Sequence, residues 1–266
     1  MESRDSDRTP SADPVFRTSD ENGKSSAVAT GLRRPWVVTL LAGVMAGLGA
    51  WLGGEACIDL IKPPLHPVNS RGVILNVTFH REEVAAETKN AGLAFMFLGA
   101  FLGASLGVAG GLIRRSGRGA LRAGLLGLTL GAAAAAGMSL ALLPRYNAYK
   151  NRNPDEALRD LIYPLLIHVG IWSTIGAAAG IAYGVGLGKS QTMPVIVLGA
   201  LAGAALGTVA YELVGALALP EAQTARFVSV TWQTRLFARL AVTLVAAAGA
   251  ALAAAEVQKP AVPSVP

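Results

Sequence analysis

Six stretches of this chain are apolar over lengths that can cross a bilayer, and short polar segments separate them. They cover about Pro35–Glu55, Ala91–Ile113, Leu121–Leu143, Tyr163–Gly188, Pro194–Leu219 and Thr234–Ala255. Neither the alternation of a half-buried strand nor the narrow apolar stripe of a soluble amphipathic helix describes them. The pattern predicts an all-α membrane protein with six transmembrane helices. The odd-numbered runs end near proline, at Pro63 and Pro64, at Pro144 and at Pro220, and proline predicts a helix stop at each. In the long first loop, Val73–Phe79 is β-branched enough for a short strand, and His80–Lys89 reads as a charged helical turn or two leading into the second run.

Composition strengthens the membrane assignment. Of the 266 residues, 52% are hydrophobic and 15% are charged, against about 25% charged in a typical soluble domain. Most of the 31 glycines lie inside the apolar runs, where in lipid they let helix backbones approach closely. Residues 1–33 are polar and mixed in charge, so a disordered cytoplasmic tail is expected, followed by the transmembrane domain at 34–256 and a short tail at 257–266. The first run lies too far from the N-terminus for a cleaved signal peptide and is read as a retained signal-anchor.

The net charge of +6 does not point to nucleic acid, because Lys and Arg stand at the ends of the apolar runs. Arg33 and Arg34 precede the first run, and Arg114, Arg115, Arg118 and Arg122 crowd the link between the second and third. These clusters place both termini in the cytoplasm, in the cytoplasmic membrane of a bacterium. Cys57 is the only cysteine, and His66, His80 and His168 are far apart, so no metal, cofactor or disulfide is expected. Gly188-Lys189-Ser190 resembles the end of a phosphate-binding loop, but the required first glycine is absent and the string ends an apolar helix. No paired carboxylates, Ser-His arrangement or HExxH string is visible, so no enzyme activity is expected.

The glycines recur at intervals of four, which places them on one helix face. Gly99, Gly103, Gly107 and Gly111 form one such ladder, and Gly176, Gly180, Gly184 and Gly188 another. Gly199, Gly203 and Gly207 form a third in the fifth run. The spacing predicts tight packing through Gly/Ala ladders and three two-helix hairpins as pseudo-repeats. The partners implied are the lipid bilayer, a second copy, or other membrane proteins docking on the glycine faces.

Ionisable groups inside spans are costly and mark candidate sites. Glu55, His168, Glu212 and Arg239 stand near the outer ends of their spans and form a candidate polar outer cluster. Glu212 and Arg239, at similar depth on two arms of one hairpin, are expected to pair. Tyr146, Tyr149, Tyr163, Trp172, Phe227 and Trp232 gather on the same side and are expected to form an interfacial belt. The midplane is nearly devoid of polar residues, so a structural or assembly role is expected ahead of a small transporter or channel with a polar outer vestibule.

Overall fold

The computed structural model describes residues 34–70, 73–153, 162–218 and 227–257. The N-terminal tail expected at 1–33 lies outside the described residues, as does all but Val257 of the C-terminal tail. The protein is an all-α integral membrane protein with six long apolar helices. They are α1 (Pro35–Cys57), α2 (His80–Ile113), α3 (Gly117–Arg152), α4 (Ile162–Leu187), α5 (Met193–Ala218) and α6 (Trp232–Glu256). Between α1 and α2 stands an antiparallel hairpin of β1 (His66–Ser70) and β2 (Val73–Val77), with His66 opposite Val77 and Ser70 opposite Val73. β2 falls within the β-branched segment, while its partner β1 had no comparable signal.

Local chemistry fixes the helix ends. Pro35 opens α1, where its missing N–H costs nothing. The Ser116 hydroxyl accepts the Gly119 N–H at 3.0 Å and starts α3. At the end of α2, Ser116 N–H bonds the Gly111 carbonyl and Arg115 N–H bonds that of Leu112, both at 2.9 Å. This is the Schellman closure, which needs a left-handed residue at its turn. α4 closes in the same way on Gly188, at φ +67°. Gly188 is therefore the residue beyond the helix and not the last rung of a helical face, which corrects its sequence assignment. At the end of α2 the left-handed position is held by Arg115, at φ +60°, where a Cβ costs about 1 kcal/mol.

Two helices extend beyond their apolar runs. α2 begins eleven residues earlier than the apolar pattern, because His80–Lys89 continues into it as regular helix. α3 does not stop at Pro144 but runs on to Arg152. The proline removes one backbone bond, to the carbonyl of the outward-facing Leu140, and tertiary contacts hold the extension. Tyr146 stacks on Tyr163 of α4, Tyr149 meets the same ring at a tilt, and Asn147 donates to the Thr88 hydroxyl of α2 at 2.8 Å.

Packing order around the bundle is α1–α2–α4–α5–α6 and back to α1, with α3 lying outside against α2 and α4. Three equivalent hairpin pairs are not what this adjacency gives, since α2 packs more extensively on α3 than on its expected partner α1. One end of the bundle carries Arg34, Arg114, Arg115 and Lys189, and is called the basic end here. The opposite end carries the β-hairpin and is called the hairpin end.

Small residues face inward and large apolar ones face outward. Ala46, Ala50, Ala123, Ala179, Ala200 and Ala246 are fully buried, whereas Met45, Leu125, Leu140, Leu198, Leu206 and Leu252 project from the surface. A soluble core has the reverse bias. The ring interior is nevertheless solid, filled by Leu98, Leu102, Leu106, Ile171, Ile175 and Val242.

Several helix pairs meet backbone to backbone. A Cβ on Gly103 would collide with the Gly127 carbonyl of α3, and one on Gly99 with the Gly131 carbonyl. Gly107 and Gly111 meet Ala123 and Ala120 on the same helix. On α4, Gly176 and Gly180 face Ala200 of α5 within contact distance, while Gly184 meets Met193 more loosely, its side chain first. Gly199, Gly203 and Gly207 of α5 face Gly249, Val245 and Val242 of α6. By contrast Gly137 faces open space.

These contacts set a prediction. Gly103→Ala should destabilise the detergent-solubilised protein by roughly 1–3 kcal/mol, since neither backbone can yield cheaply. Gly137→Ala should leave the melting temperature unchanged or slightly raised. Equal melting temperatures for the two variants would contradict the backbone contact.

Candidate functional site

Four helices converge on a polar cluster at the hairpin end. α6 supplies Arg235 and Arg239, one turn apart on one face, because residues four apart share a side of the helix. α1 supplies Glu55, near its last turn. α4 supplies His168 and α5 supplies Glu212. The four residues singled out in the sequence do gather at this end, but their pairing differs from expectation.

Glu212 does not pair with Arg239. His168 Nδ1 lies 2.5 Å from Glu212 Oε1, joining α4 to α5, and the His168 ring is only 2% exposed. Arg239 turns the other way, toward α1 and α2. Its Nη1 donates to the Ala50 carbonyl at 2.9 Å and the Ala94 carbonyl at 3.1 Å. Gly54 makes room for this, since a Cβ there would strike the guanidinium. Similar depth in a hairpin does not fix the direction a side chain takes around its helix axis. Here the α6 face carrying Arg239 belongs to the α1 contact.

Glu55 finds its partner in Arg235. The two form a bidentate ion pair, Nε to Oε1 and Nη2 to Oε2, both at 2.6 Å. The remaining Arg235 nitrogen donates to the Ser229 and Val230 carbonyls and ties down the segment before α6. Arg239 is 7% exposed and has no carboxylate within ion-pair distance among the described residues. Removing a guanidinium from water costs several kcal/mol, which two carbonyl bonds and the nearby Glu55 charge only partly offset.

Two cavities adjoin this group. One, of about 30 Å³, is bounded by His168, Trp172, Tyr211, Ser229, Arg235 and Arg239. It has room for a water-sized group. Trp172, one of its lining residues, has a buried Nε1 without a hydrogen-bond partner among the described residues. The second, of about 380 Å³, is a more open chamber, lined by Asp59, Glu87, Asn90 and Arg235 among others. Asn90 is committed to structure: its amide exchanges two 3.0 Å bonds with the backbone of Ile61 and pins the loop after α1. His66 pairs with Glu82 at 2.8 Å and ties the hairpin to α2.

The aromatic residues expected to form a belt facing lipid mostly turn inward. Tyr146, Trp172 and Phe227 are buried. Trp172 contacts Phe95, His168 and Tyr211, and Tyr146 contacts Phe227. The rings roof the polar cluster because the elongated α3 and the segment before α6 bring them over it. Trp232 remains half-exposed, its ring 6.1 Å from that of Trp51.

Arg235, Trp172 and Tyr211 were missed as site residues. Arg235 had a signal, its spacing of four from Arg239. The other two had none, since an aromatic in a span reads the same whether it faces lipid or a cavity.

The pairing predicts a contrast in double-mutant cycles. Glu55→Gln with Arg235→Gln should show a coupling of about 1 kcal/mol or more in thermal stability. Glu212→Gln with Arg239→Gln should be additive. The opposite assignment of coupling would contradict the geometry.

Comparison with protein-family models, with curated proteins and with solved structures finds no match for this chain.

Proposed function

We propose that the chain is a small membrane transporter whose polar chamber at the hairpin end receives the body of a solute, while the solute's acidic group enters the adjoining water-sized cavity at Arg239; the two cavities share Val228, Ser229 and Arg235 in their linings. The observation that carries this reading is Arg239: a buried cation without a carboxylate partner among the described residues, bounding a cavity with an unpartnered Trp172 N–H. Charges within spans that lack a structural counter-ion are where membrane proteins hold ligands. His168 and Glu212 share a short contact beside the same cavity and can hold one proton between them, which makes them the candidate for proton coupling. The packed Leu98, Leu102 and Leu106 close the route toward the basic end, so passage requires helix movement. The dense arginines of the basic end support a cytoplasmic position for both termini, in a bacterial cytoplasmic membrane, with the chamber facing outward.

The glycine faces support a structural reading of a narrower kind than partner assembly. Their ladders act as zippers between the chain's own helices, because each of the rungs that meets backbone meets backbone of this chain. A face already covered in this way is not available to a second copy or another protein. The three-hairpin duplication has weaker support, resting on spacing alone.

Tryptophan fluorescence of the purified protein tests the chamber. Titration with a panel of acetate, lactate, inorganic phosphate and an acidic amino acid should give a saturable change for at least one. Arg239→Gln should abolish it, and Trp172→Phe should remove the optical signal while equilibrium dialysis still detects binding. The same solute should exchange across liposomes containing the wild-type protein. Silence across the panel, or binding untouched by Arg239→Gln, would overturn the proposal.

A further inference from the structure

At the basic end, remote from the chamber, α1 and α2 leave an apolar groove of about 610 Å³ between them. Its floor is small: Ala109 is buried, and Ala42 and Ser105 are half-buried. Its rims include Met45 and Leu112, both of which face outward, so the groove opens onto the surface that meets lipid. Pro35 and Arg115 close the end nearest the membrane surface, and Arg34 immediately precedes Pro35.

Arg115 is the unusual element. It is the only non-glycine residue with positive φ among the described residues. The equivalent turn at the end of α4 uses Gly188, at nearly the same φ. A chain with 31 glycines thus accepts backbone strain to keep a cationic side chain at this one turn. Strain of this kind is retained where the side chain has work to do. Arg114 beside it turns away, its guanidinium packed against Gly188 at the end of α4, so the second cation near the groove is the exposed Arg34.

We propose that this groove holds one acyl chain of an anionic phospholipid, with the phosphate on Arg115 and Arg34. An apolar channel of small-floored width, open to the hydrocarbon and capped by cations at headgroup level, is complementary to that molecule along its whole length. Basic pockets between transmembrane helices bind anionic headgroups by the same electrostatics. Bound there, the lipid wedges between α1 and α2 and completes a seam that the protein alone leaves unfilled.

Thermal unfolding of the full chain in detergent tests this. Phosphatidylglycerol should raise the melting temperature saturably, with phosphatidylcholine of identical chains at least several-fold weaker and inorganic phosphate without effect. Arg115→Gly relieves the backbone strain, so it should keep or raise the lipid-free melting temperature. The same variant should weaken the phosphatidylglycerol response about tenfold in half-saturating concentration, as loss of a charge-assisted contact implies. Ala42→Phe, which fills the floor and leaves the arginines intact, should weaken both lipids. Equal responses to the two lipids, a phosphate effect matching that of phosphatidylglycerol, or an unchanged half-saturation in Arg115→Gly would each overturn the proposal.

Discussion

Everything in this bundle depends on how closely its helix backbones approach. In lipid no hydrophobic force pulls one apolar helix onto another, so cohesion comes from dispersion and from polar contacts that only short distances allow. Gly103 against the Gly127 carbonyl and Gly99 against the Gly131 carbonyl are extreme cases. The same short distance makes the site possible. Arg239 reaches carbonyls on both α1 and α2 because Gly54 has no side chain to occupy the guanidinium's place. Packing and polar chemistry are therefore one constraint: small residues bring backbones near, and near backbones solvate a buried cation.

The two ends of the bundle use this constraint differently. At the hairpin end, close approach concentrates ion pairs, aromatic rings and unpartnered donors in one place. At the basic end, the two flanks of α1 differ. The hydroxyls of Thr39 and Tyr183 lie 2.8 Å apart and tie α1 to α4, while the flank of α1 toward α2 stays open as a groove. Between them the solid leucine and isoleucine core separates the chamber from the basic end. A protein built this way has a rigid middle and two chemically distinct faces.

Much of the fold was legible in the sequence, and the reasons differ by feature. The number of helices followed from uninterrupted apolar length, which few other structures can satisfy. The charged turns at His80–Lys89 were also readable as helix leading into α2, but the extent of α3 was not, because the segment beyond Pro144 is helical through contacts with distant residues such as Tyr163. For the site, the sequence singled out Glu55, His168, Glu212 and Arg239, and the fold brings the four to one end of the bundle. The sequence could not assign partners, since pairing depends on rotation about each helix axis and on which helices are neighbours. Glu55 with Arg235 spans 180 residues and joins the first helix to the last, a closure that spacing along the chain does not encode.

The most direct measurement of the central claim is the stability effect of Gly54→Ala in two backgrounds. In the wild-type chain the added methyl group meets the Arg239 guanidinium, and the melting temperature should fall. In an Arg239→Leu background, where the shorter side chain withdraws from that position, the same substitution should have little effect. An equal loss in both backgrounds would contradict the account, because Gly54 would then serve the helix itself and not the buried cation.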